Sequence, residues 1–419
     1  MKKLLFTAFG LCILAACSQD EVMEVNRNGD EITFDVVTNA ATRAENVYCN
    51  LNQPTEFYVS AISDGKTYID KDHIVASGSS WTNESGTRYW PETTTDFYAH
   101  VNGGSSYAWS VAEGKATAQF KDFTVNDVVA SQVDLLYAVK TNQTKVTAPV
   151  KLNFRHALSQ IVFQAKNTNA NLYVEIAGVK VANVGNKNTF TFPSANTDNN
   201  IAHEDYEDGV YEDGDWGSIT YDDSWGTWAS LTSGTSAYEV DFANVPVKGD
   251  DKLVSLTTTI HKEDEENAEK LEPESYANAM LLLPQNTTQW VPSTTSPQPN
   301  KNNTGSYFLV DCVIYNVAST DVDKEEDVCL WGKENEDGTW STKELAIPVA
   351  FNWEQGKKYV YTFVFGKGNG GYDPDPDPDP DPDPVLVPIE FEITVDEFVP
   401  VDGGDIESGI PGTDAGAGE

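Results

Sequence analysis

A run of strict two-residue alternation near the C-terminal end constrains this chain most. In Pro388-Ile389-Glu390-Phe391-Glu392-Ile393-Thr394-Val395-Asp396, Ile389, Phe391, Ile393 and Val395 fall on one side of an extended chain. Glu390, Glu392, Thr394 and Asp396 fall on the other. That period fits a half-buried strand and no helix. Directly upstream, Asp373 to Pro384 is a run of six Asp-Pro repeats. Proline fixes φ and pushes the residue before it to extended geometry, so the repeat favours polyproline II. At about 3.1 Å per residue it reaches roughly 37 Å. A strand therefore hangs on a stiff leash. Near the front, Ile32-Thr33-Phe34-Asp35-Val36 carries nearly the same pattern.

The stretches between read as further strands. Phe57–Ile62, Phe97–His100, Leu135–Val139, Val150–Phe154 and Gln160–Ala165 come first. Tyr173–Ile176, Val179–Ala182, Thr189–Phe192, Leu253–Ile260, Ala279–Pro284, Tyr307–Val317 and Tyr359–Phe365 follow. Clusters of Asn, Gly, Asp, Ser and Pro separate them, which predicts an all-β protein. Trp81, Trp90 and Pro91 fall in what reads as a long loop. With 419 residues there is room for two domains plus tails. The boundaries read as 1–17 signal segment, 18–30 tether, 31–168 first domain and 169–367 second domain. Residues 368–384 then form the linker, 385–399 the extra strand and 400–419 an acidic tail expected to be disordered. The net charge of −39 excludes a nucleic-acid partner, which needs the opposite sign. An apolar content of 39 % is enough to build a core despite that charge.

The N-terminus is a leader. Met1-Lys2-Lys3 is basic, and Leu4 to Ala16 is apolar but too short to span a bilayer as a stable helix. It ends Leu14-Ala15-Ala16-Cys17-Ser18, which resembles a bacterial lipobox, so Cys17 is the expected lipidation site. Acyl chains contribute about 0.8 kcal/mol per buried methylene, and several together hold a protein on a membrane. Ser18 after Cys17 favours the outer membrane. Arginine is scarce: Arg27, Arg43, Arg88 and Arg155 are all there is. Arg43, followed by Ala44 in a small-residue stretch after the first strand, suits a trypsin-like protease, which needs an exposed Arg. Composition alone makes it a solvated loop residue.

No catalytic constellation stands out. The five histidines (73, 100, 156, 203 and 261) are isolated in sequence, and none forms a metal-like pair. There is no Gly-rich phosphate loop, nucleophile elbow or Cys-x-x-Cys. No enzyme activity, metal or cofactor is expected. His156, beside Arg155, reads as a structural hydrogen-bonding residue. Glu204 to Asp223 is acidic, without Lys or Arg, and holds Tyr206, Tyr211, Trp216 and Tyr221; Trp225 and Trp228 follow. It reads as a surface insertion, solvated or binding calcium or glycans. Cys312 and Cys329 either close a disulfide loop worth about 3 kcal/mol or stay free thiols.

Several of these pieces occur together in one family. They are the lipobox at Cys17, the Ile32-Thr33-Phe34 strand followed by Thr42-Arg43-Ala44, and Asp134-Leu135-Leu136-Tyr137-Ala138. Leu152-Asn153-Phe154-Arg155-His156-Ala157-Leu158-Ser159 and Leu282-Leu283-Pro284-Gln285 complete the set. In their order and spacing the chain resembles the fimbrillin-like proteins, the subunits of type V pili, from the lipobox to about Gly366. The resemblance implies two transthyretin-like β-sandwich domains in tandem. It implies transit to the outer membrane as a lipoprotein, then cutting by an Arg-specific protease at Arg43–Ala44, which removes the strand of Ile32, Phe34 and Val36. Other pilus subunits are the implied partners, with a host or bacterial surface ligand for adhesion. The vacated groove takes a strand from another subunit, and Ile389, Phe391, Ile393 and Val395 are the candidate donor row. The alternative is a surface lipoprotein that binds glycan or another ligand and does not polymerise. The Asp-Pro leash departs from a stalk pilin, whose last strands follow the domain directly.

Overall fold

The computed structural model describes residues 30–38, 54–78, 80–197, 221–231, 234–257, 279–291, 305–318, 327–368, 370–374 and 389–397. In chain order the strands begin with β1 (Phe34–Thr38), β2 (Glu56–Ser63), β3 (Lys66–Ser77), β4 (Ser80–Asn83), β5 (Thr95–Val101) and β6 (Tyr107–Ala112). Next come β7 (Lys115–Thr124), β8 (Leu136–Gln143), β9 (Val150–His156), β10 (Ser159–Asn167), β11 (Leu172–Val184) and β12 (Lys187–Thr191). They continue with β13 (Thr227–Trp228), β14 (Ser236–Lys248), β15 (Val254–Ser255), β16 (Met280–Leu282), β17 (Tyr307–Asn316) and β18 (Val328–Trp331). The last are β19 (Lys333–Glu334), β20 (Trp340–Ser341), β21 (Lys343–Pro348), β22 (Lys357–Phe365) and β23 (Ile389–Glu397). Two 3₁₀ turns are the only helical elements among the described residues, so the chain is all-β.

Four sheets carry the architecture. The largest runs β1-β9-β8-β5-β2-β3-β4, and a smaller one runs β13-β12-β7-β6. A third runs β15-β10-β22-β23, with β16 also on β10; a fourth runs β14-β11-β17-β18, with β21 also on β17. The largest sheet buries both faces, because alternate residues point opposite ways. Phe97, Ala99, Leu136 and Ala138 enter one core with Phe57, Ile69 and Phe154. Tyr98, Leu135, Tyr137 and Val139 enter a second core with Phe120 and Phe190 of the smaller sheet. That second core continues without a break through Phe163, Phe308, Tyr361 and Phe363 between the third and fourth sheets.

Strand pairing crosses the boundary expected at residue 168. β10 runs parallel to β22 over eight paired positions, Gln160↔Lys358 to Asn167↔Phe365. β12 pairs with β7, with Phe190 opposite Phe120. Both strands are apolar on the side that meets the shared core, and a core has no regard for chain order. The long loop expected around Trp81 is instead β3 and β4. β3 escaped notice because Asp70, Lys71 and Asp72 interrupt its alternation, with Lys71 at φ 59° and a register shift against β2 between Val59 and Ala61. Of Leu253–Ile260, the described residues include only a two-residue strand, β15; 258–260 lie outside them. Tyr173–Ile176 and Val179–Ala182 are one strand, bulged between Ile176 and Gly178.

Candidate functional site

Two edge strands make the candidate site. β1 lies parallel to β9, from Phe34↔Val150 to Thr38↔Phe154. Its upstream flank pairs on the other side: Glu31 bridges Tyr89, the Ile32 N–H donates to the Arg88 carbonyl at 2.8 Å, and the Trp90 N–H donates to the Asp30 carbonyl at 3.1 Å. β1 and β4, opposite ends of the largest sheet, also approach one another. β1 is thus the closing stave of a curled sheet. Ile32, Phe34 and Val36 are 4, 5 and 6 % exposed. Phe34 meets Phe57 and Phe97 edge-on, with ring centroids 5.9 and 5.6 Å apart. Burying three such side chains contributes roughly 5–9 kcal/mol. Arg88, one of the four arginines, anchors the far side of the seam. Its guanidinium holds the buried Asp72 carboxylate through two bonds of 2.7 and 2.8 Å. Arginine scarcity was the only sequence signal for that anchor.

β23 lies antiparallel to β22 along its whole length, from Phe365↔Ile389 to Lys357↔Glu397. Among the described residues no strand pairs with its other edge. Ile389 is 2 % exposed, Phe391 is half-buried and Ile393 is 45 % exposed, so the apolar row leaves the core as it proceeds. Phe391 reaches Phe308 and Tyr361 at centroid distances of 6.0 and 6.4 Å. Val395 lies opposite Tyr359. Glu392 forms an ion pair with Lys166 at 3.0 Å. Gly368, at φ +89°, is required where the chain leaves β22, since a Cβ there would sit 2.6 Å from the Ile389 carbonyl oxygen. Downstream, Tyr372 bridges Ala346 on β21, carrying the start of the leash onto the fourth sheet. The rest of the leash, 375–384, and residues 385–388 after it lie outside the described residues.

Cys17, Arg43 and Ala44 also lie outside the described residues. The disulfide considered for Cys312 and Cys329 is not formed, and both are free thiols. Cys312 shares a β17 face with Phe308, Val310 and Ile314 in the main core. Cys329 packs with Val313 and Tyr315 on the opposite face. Period two on one strand therefore keeps the sulfurs apart. Burial pushes both thiols up, Cys329 to about 11. Of the acidic aromatic insertion, 198–220 including Trp216 lie outside the described residues. Trp225 is not a solvated side chain: it is 8 % exposed and lies under the Arg155 guanidinium, 4.2 Å from its ring centroid. Arg155 also donates to the Ser224 carbonyl at 2.9 Å. Trp228 donates through Nε1 to the Ala157 carbonyl at 2.6 Å. His156 Nδ1 lies 2.9 Å from a buried Asp134 carboxylate oxygen, the structural bond expected of it. Among the described residues no cluster of three or more His, Cys, Asp or Glu could hold a metal ion.

Fold and site together define an all-β protein of stacked sheets. Its curled sheet is closed by an N-terminal strand, and a second strand of like pattern lies on another edge. Residues 26–222, just under half of the chain's length, match the family described as Fimbrillin-like. No curated protein matches. Among solved structures, a fimbrial protein from Bacteroides vulgatus is similar at 14 % identity, over 88 % of this chain and 99 % of that one, with a TM-score of 0.51. A candidate cell adhesion protein from Parabacteroides distasonis is similar at 11 % identity, over 88 % of this chain and all (100 %) of that one, with a TM-score of 0.42. The first likeness supports the fold.

Proposed function

We propose that this chain is a fimbrial, adhesive subunit of the cell surface with a structural and not a catalytic role. It leaves the cell as a lipoprotein anchored through Cys17 in the outer membrane, and its paired sheets act as tandem transthyretin-like sandwiches. An Arg-specific protease cuts at Arg43–Ala44 and releases the strand of Ile32, Phe34 and Val36. Another subunit's Ile389, Phe391, Ile393 and Val395 row then fills the groove, joining copies of this chain or of related subunits into a fibre. The observation that carries the proposal is the mismatch between the two strands. β1 is deeply buried yet backbone-paired to its own sheet over only five positions. β23 repeats its Ile-x-Phe-x-aliphatic spacing while leaving Ile393 in solvent. Removing β1 exposes unpaired backbone groups on β9 and an empty row beside Phe57 and Phe97. An arriving strand satisfies both, by strand addition.

The test is assembly. Protein cut after Arg43 forms SDS-resistant ladders, and the same protein lacking residues 385–398 forms none. Ladders that survive that deletion overturn the donor role of β23. The N-terminal residue of the mature surface protein separates anchor from fibre: Cys17 marks a retained lipoprotein, Ala44 a processed subunit.

A further inference from the structure

A cleft of about 550 Å³ opens between three segments: Tyr221–Leu231, Pro284–Asn286 and Asn352–Gln355. Its floor is locked. Tyr137 donates to Gln355 Oε1 and accepts from the Gly226 N–H, both at 3.1 Å, while Gln355 Nε2 donates to the Gly226 carbonyl at 2.6 Å. Gly226 has to be glycine, because a Cβ would fall 2.1 Å from the Phe190 ring. Tyr221 donates to the Gln355 carbonyl at 2.8 Å and meets Trp225 edge-on at 5.0 Å. Aromatic Tyr221 and Trp228 are half-buried in the wall.

The mouth differs from the floor. Asn286 and Asn352 face each other across an antiparallel bridge and are exposed. Their side-chain amides make no hydrogen bond among the described residues, while nearly every floor amide is used. Two paired, uncommitted amides beside half-buried aromatic rings give donors, acceptors and apolar faces together. The charged groups lining the cleft are carboxylates. Ser224 hydrogen bonds hold Asp222 below the usual carboxylate range, so it stays ionised, and Glu354 pairs with Lys357. An anionic ligand would meet like charge. An extended peptide would need free backbone groups, but the Trp353 N–H already donates to the Gln285 carbonyl and the Thr287 N–H to the Phe351 carbonyl.

We infer that this cleft binds an uncharged oligosaccharide, with Asn286 and Asn352 bonding its hydroxyls and Tyr221 and Trp228 lying against its C–H faces. The site is independent of strand exchange and is present whether or not the chain assembles. The probe is the full-length protein in detergent on an array of neutral, sialylated and sulfated glycans and unmodified peptides. Neutral glycans are retained, and N286A/N352A weakens them at least tenfold with the thermal midpoint unchanged. Ser230→Trp, which fills the mouth from an exposed position, abolishes them. Three results overturn the inference: no neutral glycan above background, a preference for anionic glycans or peptides, or binding that survives both variants. Ladder formation is scored separately on protein cut after Arg43, so a failure here is distinguishable from a failure of assembly.

Discussion

β1 and β23 share an alternating pattern and edge positions, yet the protein uses them differently. β1 has structure on both sides, β9 along its length and Tyr89 near its start, and Ile32, Phe34 and Val36 are fully inside. β23 has β22 on one side and no paired strand among the described residues on the other, and its apolar row runs from buried Ile389 to exposed Ile393. The same pattern is thus satisfied in one place and partly spent in the other. Alternation determines which side chains share a face; the depth of the receiving groove determines what burying that face contributes.

The comparison breaks first at the paired phenylalanines. Phe34→Ala should cost about 3–5 kcal/mol in denaturant unfolding, the range for a buried Phe, and Phe391→Ala well under half of that. Equal losses would mean that β23 is as deeply seated as β1. Acid should come next, and it should act on β1's sheet. His100 on β5 is buried, chiefly desolvated and also near Lys71, and is pushed down to about 3. A folded-state value below the unfolded one, near 6.5, means the unfolded chain takes the proton first as pH falls. Stability is therefore full above about pH 6.5 and is lost progressively down to about pH 3, by about 3 kcal/mol at pH 4. Hydrogen exchange should show β5 and its neighbours loosening before β22–β23, and His100→Phe should flatten the profile. A smaller effect is expected at Gly368. A valine there adds a branched side chain at positive φ against the Ile389 carbonyl and should cost about 1–3 kcal/mol of β23 docking. The readout is lost exchange protection in β23 with β1 unchanged. Lys166→Ala is the smallest: the exposed pair with Glu392 should give about 0–1 kcal/mol, vanishing at high salt.

Much of this was legible in the sequence. Both edge strands could be read because apolar residues alternate without interruption over five or more positions. Their partners could not, since period two assigns faces and says nothing about edges. β10 read as part of the first domain because it follows β9 directly, yet it runs beside β22, almost two hundred residues later. The two thiols were ambiguous for the same reason: β17's own alternation places Cys312 inward, but only the pairing Tyr315↔Cys329 shows which face Cys329 meets. Trp225 looked solvated in acidic company. The contrary signal was Arg155-His156 inside an apolar stretch, since buried cations need partners, and Trp225 and Ser224 supply them. Asn286 and Asn352 left no signal, being made neighbours only by the fold.

The parallel pairing of β1 with β9 also bears on the order of events as the chain is made and folds. More than a hundred residues separate Phe34 from Val150, and β1 cannot settle until β9 exists to receive it. Closing so long a loop costs little extra free energy, because the penalty grows only logarithmically with length, but distant pairings form slowly. Chain order thus makes the first strand to emerge one of the last to dock. The open sheet is then an ordinary stage of this protein's folding, and a groove that waits for its own strand is one that another strand can reach in time.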